Sequence, residues 1–174
     1  MDIINKSQIL SFSELNRILD AVNKVLPEFC NSWNVPLTNV QLRRNISKLP
    51  HIIISDSKNP PVCGYHDINN GIPYARVYIK NNNISDISRN ISHEIFELIT
   101  NPLKKTVKDI FIEVCDPVNL NMFDVDGVSI SDWVYPSWFD DNGIAPFNKL
   151  NTLKKSFENA QGGYTLKMNL SSRS

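Results

Sequence analysis

One histidine and two glutamates, spaced as His93-Glu94-x-x-Glu97, are the residues of this chain best suited to chemistry. Side chains four positions apart on a helix project from the same face, so His93 and Glu97 would present two metal ligands together. Glu94 is rotated by about 100° from His93 on such a helix, where it faces a water held at the metal. The spacing is that of the His-Glu-x-x-His zinc-binding helix with its second histidine replaced by glutamate.

A third protein ligand is needed, because an open catalytic metal site usually has three protein ligands and one position for water. Two downstream acidic residues are candidates, Glu113 and Asp116. Asp116 is preferred because it follows Glu97 by nineteen positions, close to the interval at which glutamate-type zincins place their acidic third ligand. Glu113 stays open, because a side chain on a strand can point toward the site or away from it. Zinc is the expected metal, with manganese or calcium as less favoured alternatives.

A charged face on an ordinary helix is the competing interpretation of this motif, because patterns of this length also arise by chance. The surrounding sequence favours the metal site. A strand predicted at Tyr74–Lys80 immediately precedes the motif helix. Ser85 or Asp86 can cap the start of that helix, and Asn101-Pro102 ends it. The acidic pair follows soon after, which supports a cluster of ligands.

The remaining elements predict an α+β fold. Apolar residues recur every three or four positions from Phe12 to Trp33, which is typical of an amphipathic helix, with Ser13 as the expected N-cap. Strand-like segments and a hairpin turn follow at Asn39–Leu42, His51–Ser55, Ile110–Cys115 and Asp124–Gly127. We expect a single domain over residues 1–167, in which the N-terminal helix and the metal-site helix pack on a small mixed sheet before a loop-rich C-terminal half. Residues 168–174 are predicted to form a polar tail.

Charge and hydropathy exclude several classes of function. The 174 residues include 18 lysines and arginines and 18 aspartates and glutamates. Like charges do not cluster, so we expect neither nucleic-acid nor membrane binding. No apolar stretch is long enough to span a bilayer and no signal peptide is visible, which predicts a soluble protein that is cytoplasmic on synthesis. Cys30, Cys63 and Cys115 are widely spaced and odd in number, which argues against disulfide bonds.

Several ordered blocks of the chain resemble an uncharacterised family of phage and bacterial proteins. Members of that family read approximately Ser-His-Glu-Leu-Leu-Glu-Met-Leu-x-Asp-Pro, followed by Glu-Val-Cys-Asp. The matching blocks here are Gly64–Asp67, Ser92–Ile99 with Asn101-Pro102, Glu113–Val118, Gly127–Phe139 and Gly162–Tyr164. Together they cover about Pro61 to Tyr164. The chain departs from the pattern at Asn101, where the family usually has aspartate, and at Gln161, where it has proline.

The resemblance implies a zincin-like fold and a metallopeptidase-like site, whose pattern carries over to His93, Glu94, Glu97, Glu113 and Asp116. In peptide hydrolysis the metal would polarise the scissile carbonyl, and Glu94 would move a proton from water to the leaving amine. The strand Ala75–Lys80 is expected to pair with an extended peptide or protein substrate as the edge of the sheet.

Two other functions remain open for the same sequence. One is a catalytically weak or inactive virion or structural component of a phage, which keeps the fold and a structural metal and binds other virion proteins. Such a chain would be virion-associated after its synthesis. The other is a partner-binding module that uses the same edge strand without hydrolysis.

His66 and the aromatic residues near the C-terminus have two interpretations each. His66 is either a group beside the site or a turn histidine bonded to backbone, and it is left out of the ligand set. The aromatic residues are expected to complete a small core rather than to line a cleft; they are Trp133, Tyr135, Trp138 and Phe139. Tyr164 is a candidate hydroxyl donor to an oxyanion.

Overall fold

Strands and helices alternate in the first hundred residues, and hairpins and loops follow. The computed structural model describes residues 1–45, 48–80 and 83–168. Its two α-helices are α1 (Phe12–Trp33) and α2 (Ile84–Thr100). One five-stranded mixed sheet is formed by β1 (Asp2–Asn5), β2 (Gln41–Arg43), β3 (His51–Asp56), β4 (Gly64–Asn69) and β5 (Ile72–Ile79). The architecture is therefore α+β, as the sequence predicts.

The strand order corrects the prediction that Ala75–Lys80 forms the edge of the sheet. The order is β2-β1-β3-β5-β4, in which β5 pairs in parallel with β3 and antiparallel with β4. β5 is thus an inner strand, and β4 is the edge strand beside it. The sequence prediction failed because residues 64–69 were not recognised as a strand, which left β5 without its outer neighbour.

One face of the sheet carries the apolar side chains and is covered by the helices. Ile52 pairs with Ala75 and Ile54 pairs with Val77, and all four side chains are fully buried. Residues directly opposite each other in a ladder point to the same face. His66 on β4 lies opposite Ala75 and therefore points to this covered face as well.

Helix α1 spans the predicted residues, but its cap differs from the prediction. Ser11, not Ser13, is the N-cap: its side chain accepts a hydrogen bond from the backbone N–H of Glu14, and the Glu14 side chain bonds back to the Ser11 N–H. This reciprocal capping box satisfies two otherwise unpaired backbone donors, which is why the helix begins one residue before Ser13. Asn34, in the left-handed conformation, ends the helix.

Helix α2 is buried along most of its length. Asn83 caps it, rather than Ser85 or Asp86, because the Asn83 side chain accepts hydrogen bonds from both of their backbone N–H groups. The helix ends at Thr100, and Asn101-Pro102 follows, as predicted. Residues 91–98 are all buried, because the sheet lies on one side of the helix and a C-terminal hairpin lies on the other.

Two short hairpins follow α2. The first joins β6 (Thr106–Val107) to β7 (Ile110–Phe111), and the second joins β8 (Met122–Val125) to β9 (Val128–Ser131). Asp126 and Gly127 both have positive φ, which confirms the predicted turn. The predicted strand Ile110–Cys115 is too long, because within it the strand β7 spans Ile110–Phe111 alone. The chain then bends into a single 3-10 turn at Asp116–Val118, where Pro117 cannot donate a ladder hydrogen bond.

A continuous apolar core joins the helices to this C-terminal region. Phe29 of α1, Phe96 of α2 and Trp133 after β9 form its centre, with ring centroids 4.5 to 5.3 Å apart. Trp133 and Trp138 are fully buried, which confirms that these aromatics serve the core. Most residues after Ser131 are irregular, apart from a second 3-10 turn at Pro136–Phe139. Of the predicted polar tail, residues 169–174 lie outside the described part of the chain. Among the described helices, none has the length and apolar character needed to cross a bilayer.

Candidate metal centre

The motif residues of α2 converge at a cavity of about 620 Å³, which opens between this helix, β4 and the segment that follows β7. His93, Glu94 and Glu97 all line it, although each is at least nine-tenths buried. His93 Nε2 lies 3.1 Å from Glu97 Oε1 across one helical turn. The predicted pairing of these two side chains is therefore present in the structure.

Asp116 joins this pair from the 3-10 turn. Its Oδ1 lies 3.3 Å from His93 Nε2. The turn is fixed from outside, because the carbonyl of Asp116 accepts a hydrogen bond from the Tyr164 N–H at 3.0 Å and that of Pro117 accepts one from the Ala160 N–H at 2.9 Å. Ligands bound tetrahedrally at about 2.1 Å from zinc lie about 3.4 Å apart. Both contacts of His93 Nε2 are close to that spacing.

The two oxygens of Glu97 face different groups. Oε1 approaches His93 and also accepts a hydrogen bond from the backbone N–H of Cys115 at 3.2 Å. Oε2 lies 3.8 Å from Nδ1 of His66. The carboxylate of Glu97 therefore lies between the two histidines of the cavity.

His66 belongs to this cluster, although the sequence analysis left it out of the ligand set. It is not a turn histidine bonded to backbone; it lies within β4 and is 4% exposed. The signal that could have found it is Asn70-Gly71, a pair strongly favoured in two-residue hairpin turns. Both residues have positive φ here and connect β4 directly to β5.

Glu113, the alternative third ligand, also reaches the cavity but contacts a different histidine. Its Oε2 lies 3.6 Å from His66 Nε2, and neither atom has a hydrogen-bond partner in the described structure. The geometry thus associates Asp116 with His93 and Glu113 with His66. Burial, together with the negative charges of Glu97 and Asp116, raises the pKa of Glu113 to about 9.

Glu94 occupies the cavity wall nearest to β4. Its Oε2 is buried and has no hydrogen-bond partner among the described residues. Burial raises the pKa of Glu94 well above its ordinary value, and the charge of Glu97 raises it further. A carboxyl group with a high pKa and an unpaired oxygen can take up and release a proton near neutral pH once its surroundings change.

The two histidines have opposite electrostatic environments. Burial would lower the pKa of His93, but the charge of Glu97 and a hydrogen bond with Asp116 raise it well above the ordinary value. Burial, followed by the charge of Lys104, lowers the pKa of His66 to about 4. His66 is therefore neutral at pH 7 and has a lone pair available for a metal ion.

Tyr164 lies at the mouth of the cavity, against Asp116. Burial raises the pKa of its hydroxyl, and the carboxylate of Asp116 raises it further. The hydroxyl is protonated at neutral pH and can act as a hydrogen-bond donor.

The donor set suits a divalent cation. Within the described residues, two sets of three side chains have potential ligand atoms that all lie within 4.8 Å of one another. They are His93–Glu97–Cys115 and His66–Glu94–Glu97. Asp116 is in neither set, although its contact with His93 is shorter than this limit. We prefer Asp116 to Cys115 as a ligand, because burial and nearby negative charge raise the pKa of the Cys115 thiol and disfavour the thiolate that binds metals.

Comparison with known proteins gives one partial similarity. A segment of 80 residues, 46% of this chain, is 30% identical to phosphoribosylaminoimidazole-succinocarboxamide synthase from Prochlorococcus marinus strain NATL1A. The match spans 31% of that synthase, which is too small a share to assign the chain to its family. No protein-family model matches the chain, and no solved structure matches it.

Proposed function

We propose that this chain is a zincin-like metallopeptidase-like protein, in which His93, Glu97 and Asp116 bind one divalent cation, preferably zinc. The observation that carries the proposal is the position of His93 Nε2, 3.1 Å from Glu97 Oε1 and 3.3 Å from Asp116 Oδ1. The buried, unpaired oxygen of Glu94 beside them supports a reaction centre rather than a closed structural site, because such an atom lacks the partner that a purely structural carboxyl would have.

The proposed reaction is hydrolysis of a peptide bond. The bound cation would supply Lewis acidity, polarising the scissile carbonyl and making a water molecule easier to deprotonate. Glu94 accepts the proton of the attacking water and delivers it to the leaving amine. Tyr164 donates its hydroxyl hydrogen to the oxygen on which negative charge develops.

The edge strand β4 is the surface on which we propose that an extended substrate binds. It is the last strand of the sheet, so its outer edge can add a further strand from a peptide. Gly64 and His66 of β4 line the cavity, which means that a peptide paired with this strand passes the reacting groups. We therefore assign to β4 the substrate-binding role that the sequence predicted for β5.

The sequence resemblance to phage and bacterial metallopeptidase-like proteins supports the same proposal, because its blocks contain all the proposed ligands and Glu94. One histidine and two carboxylates form a neutral site with a divalent cation, and such hard ligands make the cation a weaker Lewis acid than three histidines would. We therefore expect slow turnover. A chain of this kind that binds metal without hydrolysing peptides would instead be a structural component of a phage particle.

Metal content tests the binding half of the proposal. Purified protein, incubated with Zn²⁺ and dialysed, should retain the ion by mass spectrometry, and His93→Ala, Glu97→Ala and Asp116→Asn should each lower the zinc content. The matched control is Asp20→Asn, which removes an exposed carboxylate of α1 and should retain the wild-type content. Wild-type protein that binds no zinc would contradict the proposed centre.

Peptide hydrolysis tests the catalytic half. Protein loaded with one equivalent of Zn²⁺ should cleave members of a peptide library, and Glu94→Gln should lower the rate by about a hundredfold or more, as is usual when a general base is lost. Glu94→Gln should still bind the proposed catalytic ion, since Glu94 is not among its ligands. Protein that carries one zinc ion per chain and cleaves no peptide would favour the structural role in a virion.

A further inference from the structure

One histidine and two glutamates that line the cavity each have a buried atom without a hydrogen-bond partner among the described residues. The atoms are His66 Nε2, Glu94 Oε2 and Glu113 Oε2, and each residue is more than nine-tenths buried. The proposed catalytic ion accounts for none of them as a ligand, because it is held by His93, Glu97 and Asp116. Buried polar atoms are normally satisfied by protein, water or an ion, so Glu94 Oε2 indicates a further occupant, whereas His66 Nε2 and Glu113 Oε2 face each other at 3.6 Å.

Glu97 connects the proposed catalytic site to these groups. Its Oε1 faces His93 at 3.1 Å, and its Oε2 faces Nδ1 of His66 at 3.8 Å. Potential ligand atoms of His66, Glu94 and Glu97 all lie within 4.8 Å of one another. A carboxylate can bind one cation with each oxygen, so Glu97 can serve two sites at once.

The buried acidic groups of the cavity also favour a second cation. Four carboxylates surround the cavity and are at least nine-tenths buried; they are Glu94, Glu97, Glu113 and Asp116. When all four carboxylates are ionised, one divalent cation offsets two of the charges and a second offsets the remaining two. Arg89 also lines the cavity, and its guanidinium lies 3.4 Å from the carboxylate of Asp86. Lys104 also lines the cavity, but its side chain is 38% exposed and lies 3.6 Å from the carboxylate of Asp67. Buried charges are stable only when they are paired or bind metal.

We propose that the cavity binds a second divalent cation through His66 Nδ1, Glu94 and Glu97 Oε2, with Glu97 bridging the two cations. The ring proton of His66 then resides on Nε2, which faces Glu113 Oε2 at 3.6 Å. A carboxylate beside the outer ring nitrogen is the usual partner of a metal-binding histidine, because it fixes the tautomer and the ring orientation. Glu113 is accordingly a positioning residue for His66.

This inference rests on the proposed catalytic centre and extends it. Glu94 cannot accept a proton from water while its carboxylate binds a cation, so the second ion competes with hydrolysis. Occupancy of the second site therefore regulates the first, with the divalent-ion concentration as the controlling variable.

Counting bound zinc tests the second site without using activity. Metal-free protein is titrated with Zn²⁺, and the number of ions per chain is read by native mass spectrometry. Wild-type protein should bind two ions, and His66→Gln should bind one. Glu113→Gln should still bind two, but the second ion should bind about 10- to 100-fold more weakly, the usual effect of losing the partner of a metal-binding histidine. The matched control is His51→Gln, which replaces a buried histidine of β3 that does not line the cavity and should leave two ions bound.

The outcomes separate this inference from the function on which it rests. Wild-type protein that binds one ion, which His66→Gln retains, overturns the second site and leaves the catalytic centre in place. A single ion that is lost in His66→Gln and kept in His93→Ala overturns the catalytic centre, and two ions bound by His66→Gln overturn His66 as a ligand. Wild-type protein that binds none overturns both. Circular dichroism checks that each variant is folded, and Glu113→Gln provides an independent test should His66→Gln fail to fold.

Discussion

Gly64 on β4 lies so close to Glu94 on α2 that a β-carbon at residue 64 would overlap the glutamate carboxylate. Such a β-carbon would also come within 2.8 and 2.9 Å of Cδ and Cγ of the same side chain. The absence of a side chain at Gly64 therefore permits the observed position of Glu94. Because β4 and α2 are separate elements, this contact sets the spacing between the edge strand and the proposed proton acceptor.

Gly64→Ala is expected to displace the Glu94 carboxylate and to slow peptide hydrolysis, because misplacement by about 1 Å can cost a hundredfold in rate. Zinc bound at the proposed centre should remain, since the atoms nearest to a β-carbon at residue 64 all belong to Glu94. The measurement is kcat/KM for a cleaved peptide together with zinc content. Asn69→Ala, an exposed substitution on the same strand, is the control. An unchanged kcat/KM in Gly64→Ala would show that the position of Glu94 does not limit the reaction.

The metal-free protein is expected to lose stability between pH 7 and pH 9. The pKa of Glu113 is raised from 4.5 to about 9 by burial and by nearby carboxylates, so the folded state holds a proton that the unfolded chain has lost at pH 7. Because the folded state binds more protons, the free energy of unfolding falls as pH rises, by about 1.4 kcal/mol per pH unit for each such proton. Urea unfolding in the presence of a chelator at pH 7, 8 and 9 measures this slope.

The protonation of His66 changes the free energy of unfolding in a different pH range, so it does not affect the slope measured between pH 7 and pH 9. Its pKa is lowered from 6.5 to about 4, so it is neutral in both states above pH 7. Its contribution to stability is lost only as the pH falls from about 6.5 towards 4. In Glu113→Gln the loss of stability between pH 7 and 9 should be smaller than in the wild type. A stability that rises with pH in this range would contradict the predicted protonation of Glu113.

Ser92→Ala is expected to destabilise the fold by about 1–3 kcal/mol, the usual cost of leaving a buried donor unpaired. The Ser92 Oγ accepts a hydrogen bond of 2.9 Å from the backbone N–H of Ser131, which ties α2 to β9. Both residues are fully buried, so water cannot replace the lost partner. Denaturant unfolding measures the change. Ser88→Ala is the control, because Ser88 Oγ donates within the helix, to the Ser85 carbonyl. Equal effects of the two substitutions would argue against a hydrogen bond that ties α2 to β9.

Asn101→Asp is expected to destabilise the protein. The Asn101 amide donates to the Lys105 carbonyl at 2.9 Å and accepts from the Lys105 N–H at 2.6 Å. An ionised aspartate still accepts the hydrogen bond from the Lys105 N–H. Its other oxygen would repel the Lys105 carbonyl, at a cost of about 1–3 kcal/mol. Thermal unfolding at pH 5 and pH 7 should show a larger loss at pH 7. Zinc content should be unchanged, because Asn101 does not line the cavity.

Local sequence signals predicted the motif helix well and the environment of its cavity less well. The end of α2 at Thr100 could be read from Pro102, and the shared face of His93 and Glu97 followed from helical geometry alone. The position of β4 could not be read from apolar periodicity, since its exposed and buried residues do not alternate regularly. The sheet order depends on which strands pack together, and that order decided both the edge strand and the inward direction of His66.

The proposed third ligand also could not be identified from the sequence alone. Spacing favoured Asp116, but the sequence could not separate it from Glu113, because the segment between β7 and the 3-10 turn is neither a strand nor a helix. Contacts made by distant residues determine where each carboxylate points. Only the folded chain shows that Asp116 lies against His93 and that Glu113 lies against His66.

The hydrogen bonds that hold the 3-10 turn have a consequence for the order of events during translation. The Asp116 and Pro117 carbonyls are held by Tyr164 and Ala160, and Tyr164 leaves the ribosome 48 residues after Asp116. A nascent chain whose two cavity histidines have left the ribosome still lacks Ala160 and Tyr164, whose N–H groups hold the turn that places Asp116 beside His93. At the proposed metal centre, tight binding of an ion therefore requires synthesis to have passed this segment.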